Sequence, residues 1–140
     1  MVKGVYLLFL KLSKRTRIRV GSLGYISFDK GLYVYVGSAQ NNLEKRVMRH
    51  LSRGKKIKWH IDYLTSNKNA RIIATYAYRL EKRYECIIAD YLSKNCLEEI
   101  PRFGSSDCRC RSHLFRLKDN VEEICSRISR MVGVKPIKII

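Results

Sequence analysis

Gly31-Leu32-Tyr33-Val34-Tyr35-Val36-Gly37-Ser38-Ala39-Gln40 runs directly into Asn41-Asn42-Leu43-Glu44-Lys45-Arg46-Val47-Met48-Arg49-His50-Leu51-Ser52-Arg53. The first half is β-branched and aromatic and stops at Gly37-Ser38, which is the signature of a short strand. The second half has a helical period. Leu43, Val47 and Leu51 recur at i, i+4 and i+8 and form a core-facing stripe. Arg46, His50 and Arg53 follow the same spacing on the adjacent strip, which places them along the rim of a groove. Arginine and histidine at a strand-glycine-helix junction suit a phosphate. The same strip also reads as an ordinary solvated basic face.

Outward from this unit, Gly4 to Leu10 is apolar on both parities, as in a central strand covered on both faces. Arg17 to Val20 alternates charged and apolar residues, Gly21 to Gly24 is turn chemistry, and Tyr25 to Phe28 resumes a strand. The first third therefore reads as four short strands, the middle two a hairpin. A helix is expected over 41–53, a basic loop over 54–58, and a short helix at Trp59 to Leu64. Ala70 to Tyr78 reads as a strand and Glu81 to Asn95 as a helix. A loop of small and polar residues covers 103–110, and Ser112 to Leu117 reads as a strand. Asp119 is expected to cap a last helix through Met131, stopped by Gly133 and Pro136, with a terminal strand over Lys135 to Ile140. No linker interrupts the pattern, so one domain is expected over 1–140. The fold class is α/β (α+β), a small, mainly antiparallel sheet between helices.

The 140 residues carry 29 Lys and Arg against 12 acidic residues, a net charge of +17. Such a balance points to a polyanionic partner, and its spread over the whole chain favours a folded basic surface. Heat-adapted proteins also carry many lysines but usually balance them with glutamate, and this chain does not. No apolar run approaches the length of a membrane span, and the N-terminal apolar run lacks a small-residue cleavage site. Five scattered cysteines argue against a secreted disulfide framework and for a reducing, intracellular compartment, so a cytoplasmic location is expected.

Glu85 falls in the middle of the apolar face of the expected 81–95 helix, beside Ile88, Ala89 and Leu92. An ionised carboxylate there needs a partner. It reads as a metal ligand or general acid/base in a cleft, or as half of an ion pair with arginine. Glu81 is a rival one turn earlier. Tyr6 and Tyr35 sit in apolar strands, where a phenol needs a hydrogen-bond partner. His60 and Asp62 either line the mouth of a site or, more simply, pin a short helix to the sheet. Trp59 with Lys55, Lys56 and Lys58 suits a base and the nucleic-acid backbone. Cys108-x-Cys110-x-x-His113 invites zinc, but no second pair stands out by spacing, and Cys86, Cys96 and Cys125 are too scattered to complete it. A zinc site is not expected. Ser105-Ser106-Asp107 reads as a turn whose polar groups face the cleft, with the cysteines packed beneath.

Gly4-Val5-Tyr6 and Tyr35-Val36-Gly37, followed by Arg46 and a helical Glu85, resemble the GIY-YIG nuclease superfamily. The closer resemblance is to its Uri-type endonuclease branch in archaea and bacteria, which has a hairpin inserted between the two tyrosine motifs. Tyr-Val-Gly-Ser-Ala, Arg-His-Leu, Trp-His-Ile-Asp-Tyr-Leu, Glu-Cys-x-x-Ala and Phe-Gly-Ser-Ser-Asp-Cys-x-Cys-x-Ser-His-Leu carry it from Gly4 to about Leu117. The resemblance implies a metal-dependent endonuclease acting on DNA, in repair or processing. Alternatives are an RNA-directed nuclease and a non-cleaving DNA-binding module.

It further implies that Tyr6 helps deprotonate the attacking water and that Tyr35 orders the site and the phosphate. Gly37 would let the backbone pass close to the phosphate. Arg46 would neutralise phosphoryl oxygens. His50 would be a further acid/base or positioning group, and Glu85 would hold one Mg²⁺ or Mn²⁺. Leu97 stands where many relatives carry asparagine, and Asn95 is out of register. A tyrosine base implies alkaline-favoured activity, because its ordinary pKa lies near 10.

Overall fold

The computed structural model describes residues 2–105 and 108–140. Strand β1 (Gly4–Leu12) is buried along nearly its whole length, as its two apolar parities require. It lies between β4 (Gly31–Ala39) and β5 (Ala70–Tyr78), antiparallel to both. Five shorter strands are described besides these: β2 (Thr16–Arg19), β3 (Tyr25–Phe28), β6 (Glu98–Glu99), β7 (Leu114–Leu117) and β8 (Ile137–Lys138). The main sheet has the order β6-β7-β4-β1-β5-β8, and its pairings among the described residues are antiparallel. The expected hairpin, β2 with β3, forms its own two-stranded sheet around a 3₁₀ turn at Gly21–Leu23.

Helices α1 (Leu43–Leu51), α2 (His60–Thr65), α3 (Tyr84–Lys94) and α4 (Val121–Val132) cover the sheet on both sides. Alternate residues of β1 divide between two cores. Tyr6, Leu8, Leu10 and Leu12 pack with Leu43 and Val47 of α1 and Ile61 and Leu64 of α2. Val5, Leu7 and Phe9 pack with Ile88, Ala89 and Leu92 of α3 and Ile124 and Ile128 of α4. Each fully buried aliphatic side chain of this kind contributes about 1.5–3 kcal/mol. This is the two-sided sandwich that the double parity predicts.

Several boundaries move. Asn42 caps α1 by accepting from the Lys45 N–H at 3.0 Å, and the helix ends at Leu51. Leu51 is exposed, so the buried stripe is Leu43, Val47 and His50. Helix α3 begins at Tyr84, which leaves Glu81 outside it, exposed and 3.6 Å from Arg83. Asn120, not Asp119, caps α4 by accepting from the Glu123 N–H, while Asp119 pairs with Arg127 at 2.8 Å. The strand β6 carries no sequence signal, since two glutamates are poor strand formers. Ser106 and Asp107, part of the expected polar turn, lie outside the described residues. Among the described residues no helix is long and apolar enough to cross a membrane.

Candidate active site

Tyr6 lies directly across from Gly37 in the β1–β4 ladder, and Tyr35 lies across from Leu8. The strand period therefore sends both phenols to the same face of the sheet. Their ring centroids are 6.4 Å apart. Gly37 has a specific reason to be glycine: a Cβ there would stand 2.5 Å from Cζ and Oη of Tyr6. Its place in the site is to seat a phenol, in addition to bordering the cavity. Gly4 is required as well, at φ +148°, because a Cβ would collide with the Tyr78 carbonyl.

A cleft of about 440 Å³ opens at this end of the sheet, where the chain passes from Gly37 in β4 to Gln40 just beyond it. Tyr6 and Tyr35 form its floor with Gly37, Arg46 comes from α1, Trp59 and Lys58 precede α2, and Glu85 comes from the first turn of α3. Helix α3 packs on the opposite face from α1, yet its first turn reaches the same sheet end. Residues from both layers thus meet at one opening.

Tyr6 is buried, and its Oη lies 2.7 Å from Nε2 of His50. Burial pushes the Tyr6 phenol well above its ordinary pKa, with Tyr35 adding to the effect and Arg46 opposing it. Burial also lowers His50 to about 4, so its ring is neutral at pH 7. Nδ1 of His50 has no partner among the described residues, which makes the bond to Tyr6 the ring's polar anchor. His50 is not on the cleft wall. It stands behind Tyr6, one layer in.

Arg46 is fixed by two contacts. Its Nη1 donates to the Ser38 carbonyl at 2.8 Å, and its guanidinium lies 4.7 Å from the centre of the Trp59 ring. The Arg49 guanidinium and Lys58 Nζ also lie over Trp59, at 4.4 and 4.8 Å. Trp59 therefore organises cations at the cleft edge. Arg49 makes two bonds of 2.9 Å to Asp62, which is fully buried and also accepts from the Trp59 and Lys58 N–H groups. Burial alone would raise the Asp62 carboxyl, but the guanidinium and these amides hold it below the usual carboxylate range. Asp62 is thus a structural pin for the loop carrying Trp59. His60 borders the cleft, and its Nδ1 accepts from the Gly104 N–H at 2.9 Å, which ties the start of α2 to the loop before β7 and not to the sheet.

Glu85 keeps 14% of its side-chain surface exposed and faces the cleft. Among the described residues no lysine or arginine pairs with it. Its one neighbour at ion-pair range is Nδ1 of His113, at 3.7 Å. A carboxylate at a polar opening with no cationic side chain occupying it fits a hard, oxygen-seeking ion such as Mg²⁺ or Mn²⁺.

Three expected backbone-binding residues, Arg53, Lys55 and Lys56, stand outside the cleft lining. Arg53 falls beyond the end of α1 and donates to the carbonyls of Asn67 and Ala70, so it braces a turn instead of the cleft. Lys55 donates to the His50 carbonyl at 2.7 Å and closes the end of α1. Lys56 is exposed, and its carbonyl accepts from Arg49. Lys82 and Gln40 border the cleft without having been expected. Gln40 lies in a loop, and Lys82, inside the helix expected from the sequence, lies before α3 in the structure.

Behind Glu85 the chain brings together Cys86, Cys108, Cys110 and His113, whose donor atoms all lie within 4.8 Å of one another. Spacing alone hid Cys86, which arrives from α3 and supplies the fourth donor.

A family profile described as a domain of unknown function, DUF123, matches residues 5–134. No characterised protein and no solved structure matches the chain. The match takes in both tyrosine strands, the four helices and the whole cleft, and the chain therefore belongs to the DUF123 family.

Proposed function

We propose that the cleft hydrolyses phosphodiester bonds of nucleic acid, with DNA as the substrate. The observation that carries this is the convergence on one opening of two phenols, a fixed guanidinium and a carboxylate that no lysine or arginine pairs among the described residues. Phosphodiester hydrolysis needs a positioned phosphate, positive charge on its oxygens and a base for water. The ordered motifs resemble Uri-type endonucleases of the GIY-YIG superfamily, and that resemblance directs the reading to DNA.

Arg46 would grip the phosphate through the N–H groups that the Ser38 carbonyl leaves over. Lys58 and Lys82 would hold flanking backbone. Glu85 would hold one Mg²⁺ or Mn²⁺, and when bound the ion supplies positive charge against the phosphate and the leaving oxygen. Tyr6 would take the proton of the attacking water. Its raised pKa means that free tyrosinate is scarce at neutral pH, so the phenol's own proton must move on as it accepts another. His50, neutral and with Nε2 2.7 Å from the Tyr6 Oη, would be the acceptor, as a weak base because burial disfavours its charged form. Tyr35, beside Tyr6 on the floor, would orient the phosphate.

Single-stranded, duplex, flap and branched DNA, each incubated with Mg²⁺ or Mn²⁺ across a pH series, test the proposal. The expected result is cleavage that rises toward alkaline pH, falls by roughly 10²–10⁴ in Tyr6→Phe, and disappears in Glu85→Ala while binding persists. Binding without cleavage under every metal would identify a DNA-binding module instead, and an unchanged rate and profile in Tyr6→Phe would remove that residue from the chemistry.

A further inference from the structure

The first turn of α3 places Cys86 immediately after Glu85, and the segment leading into β7 supplies Cys108, Cys110 and His113. His113 is almost fully buried, and its two nitrogens face different partners. Nε2 lies 3.2 Å from the Cys108 sulfur, while Nδ1 lies 3.1 Å from the Val36 carbonyl and 3.7 Å from Glu85. The ring is thus oriented with one nitrogen toward the thiols and the other toward a backbone acceptor. Zinc-bound histidines are held in this way, the outer N–H fixed by a carbonyl or carboxylate.

We propose that Cys86, Cys108, Cys110 and His113 bind one structural zinc ion, distinct from the divalent ion assigned to Glu85. Three thiolates and an imidazole are a common tetrahedral zinc set, with bonds of about 2.3 Å to sulfur and about 2.0 Å to nitrogen. Such a tetrahedron has edges of about 3.5–3.8 Å, so donor atoms already within 4.8 Å of one another lie near that spacing, and the Cys86 and Cys110 sulfurs, which touch, would part to it on binding. Four protein donors leave no open position, which makes the site structural instead of catalytic. The Cys86 and Cys110 sulfurs touch as a disulfide would. A disulfide, however, accounts for two of the four donors and gives no reason for Cys108 and His113 to converge on the same point.

The ion would tie the start of α3 to the segment before β7, and these are the two pieces of chain that flank Glu85. With zinc on Nε2, His113 must carry its proton on Nδ1, where it donates to Val36 and faces the Glu85 carboxylate. The zinc would in this way set the position of a cleft residue without touching substrate. The binding proposal itself does not depend on the nuclease reading.

Protein expressed with zinc supplied and purified without chelator should contain one zinc per chain by elemental mass spectrometry. Cobalt exchanged for the zinc should show the visible bands of tetrahedral coordination and a thiolate-to-cobalt charge-transfer band, which needs no variant to fold. Cys108→Ser and His113→Ala should each lower zinc content about tenfold, whereas Cys96→Ser, altering a cysteine outside the cluster, should leave it unchanged. Metal-free protein overturns the proposal, whether or not peptide mapping finds Cys86 joined to Cys110. So does zinc retained at the wild-type level in Cys108→Ser, or lost in Cys96→Ser. Failure of DNA cleavage leaves all of these readings untouched.

Discussion

His50 shows how a single residue ties the cleft to the stability of the protein. Its ring is buried, it has one polar anchor in Tyr6, and burial lowers its pKa to about 4 from an ordinary value of 6.5. The unfolded chain therefore takes up a proton near pH 6.5 that the folded ring refuses until about pH 4. Full stability belongs above pH 6.5 and is lost as pH falls through that window, by on the order of 3 kcal/mol from this group. Urea unfolding at a series of pH values should show this loss in the wild type and a smaller one in His50→Gln. Equal slopes in the two proteins would mean that the ring is not held neutral by burial. Arg46 and Glu85 illustrate a different principle. Each is held by few contacts, Arg46 by one carbonyl and one aromatic face and Glu85 by one imidazole at 3.7 Å. Charged groups at a pocket that are under-paired by their own protein remain available to a ligand.

At the scale of the element, the six-residue helix α2 matters more for the loop before it than for its own length. Its third residue, Asp62, gathers the Lys58 and Trp59 N–H groups and both terminal nitrogens of Arg49. This joins α2 to α1 and fixes the ring on which Arg46 rests. Removing the charge leaves Arg49 without its buried partner, so Asp62→Asn should cost on the order of 2–4 kcal/mol. Chemical denaturation measures this directly; a change smaller than about 0.5 kcal/mol, the size of an ordinary surface substitution, would show that the pair is dispensable. On the proposed function, the same variant should also weaken DNA binding, because Trp59 and Lys58 would lose their fixed place at the cleft edge.

For the whole molecule, a net charge of +17 spread over 140 residues is a large fixed field. On the proposed function, this field would draw a polyanion to the surface, and the cleft cations Arg46, Lys58 and Lys82 would give it a place to settle. If these three alone neutralise duplex phosphates, the logarithm of affinity falls against the logarithm of salt with a slope of about −3, and the wider surface makes it steeper. Anisotropy titrations across a salt series should find that slope reduced by about one in Lys82→Ala. A slope near zero in the wild type would rule out phosphate contact as the source of binding.

The sequence by itself determined the order of the elements and the layering. The two parities of β1 required a sheet covered on both faces, and the α1 stripe, the inserted hairpin and the glycine at 4 marked where helix, turn and first strand lie, whereas β4 runs on past Gly37 to Ala39. These are local properties, written in periods of 2 and 3.6 residues. Which side chains meet was decided only by tertiary structure. Tyr6 finds His50 across 44 residues and His113 finds Val36 across 77, distances over which no periodicity reaches. Arg53 followed the helical spacing on paper, but α1 ends two residues before it, and its guanidinium turned to a carbonyl pair instead. Cys86 had no partner by spacing and acquired three once α3 was laid against the segment before β7. Elements form from what lies along the chain, whereas a site forms where layers stack, and that depends on the packing of the whole core.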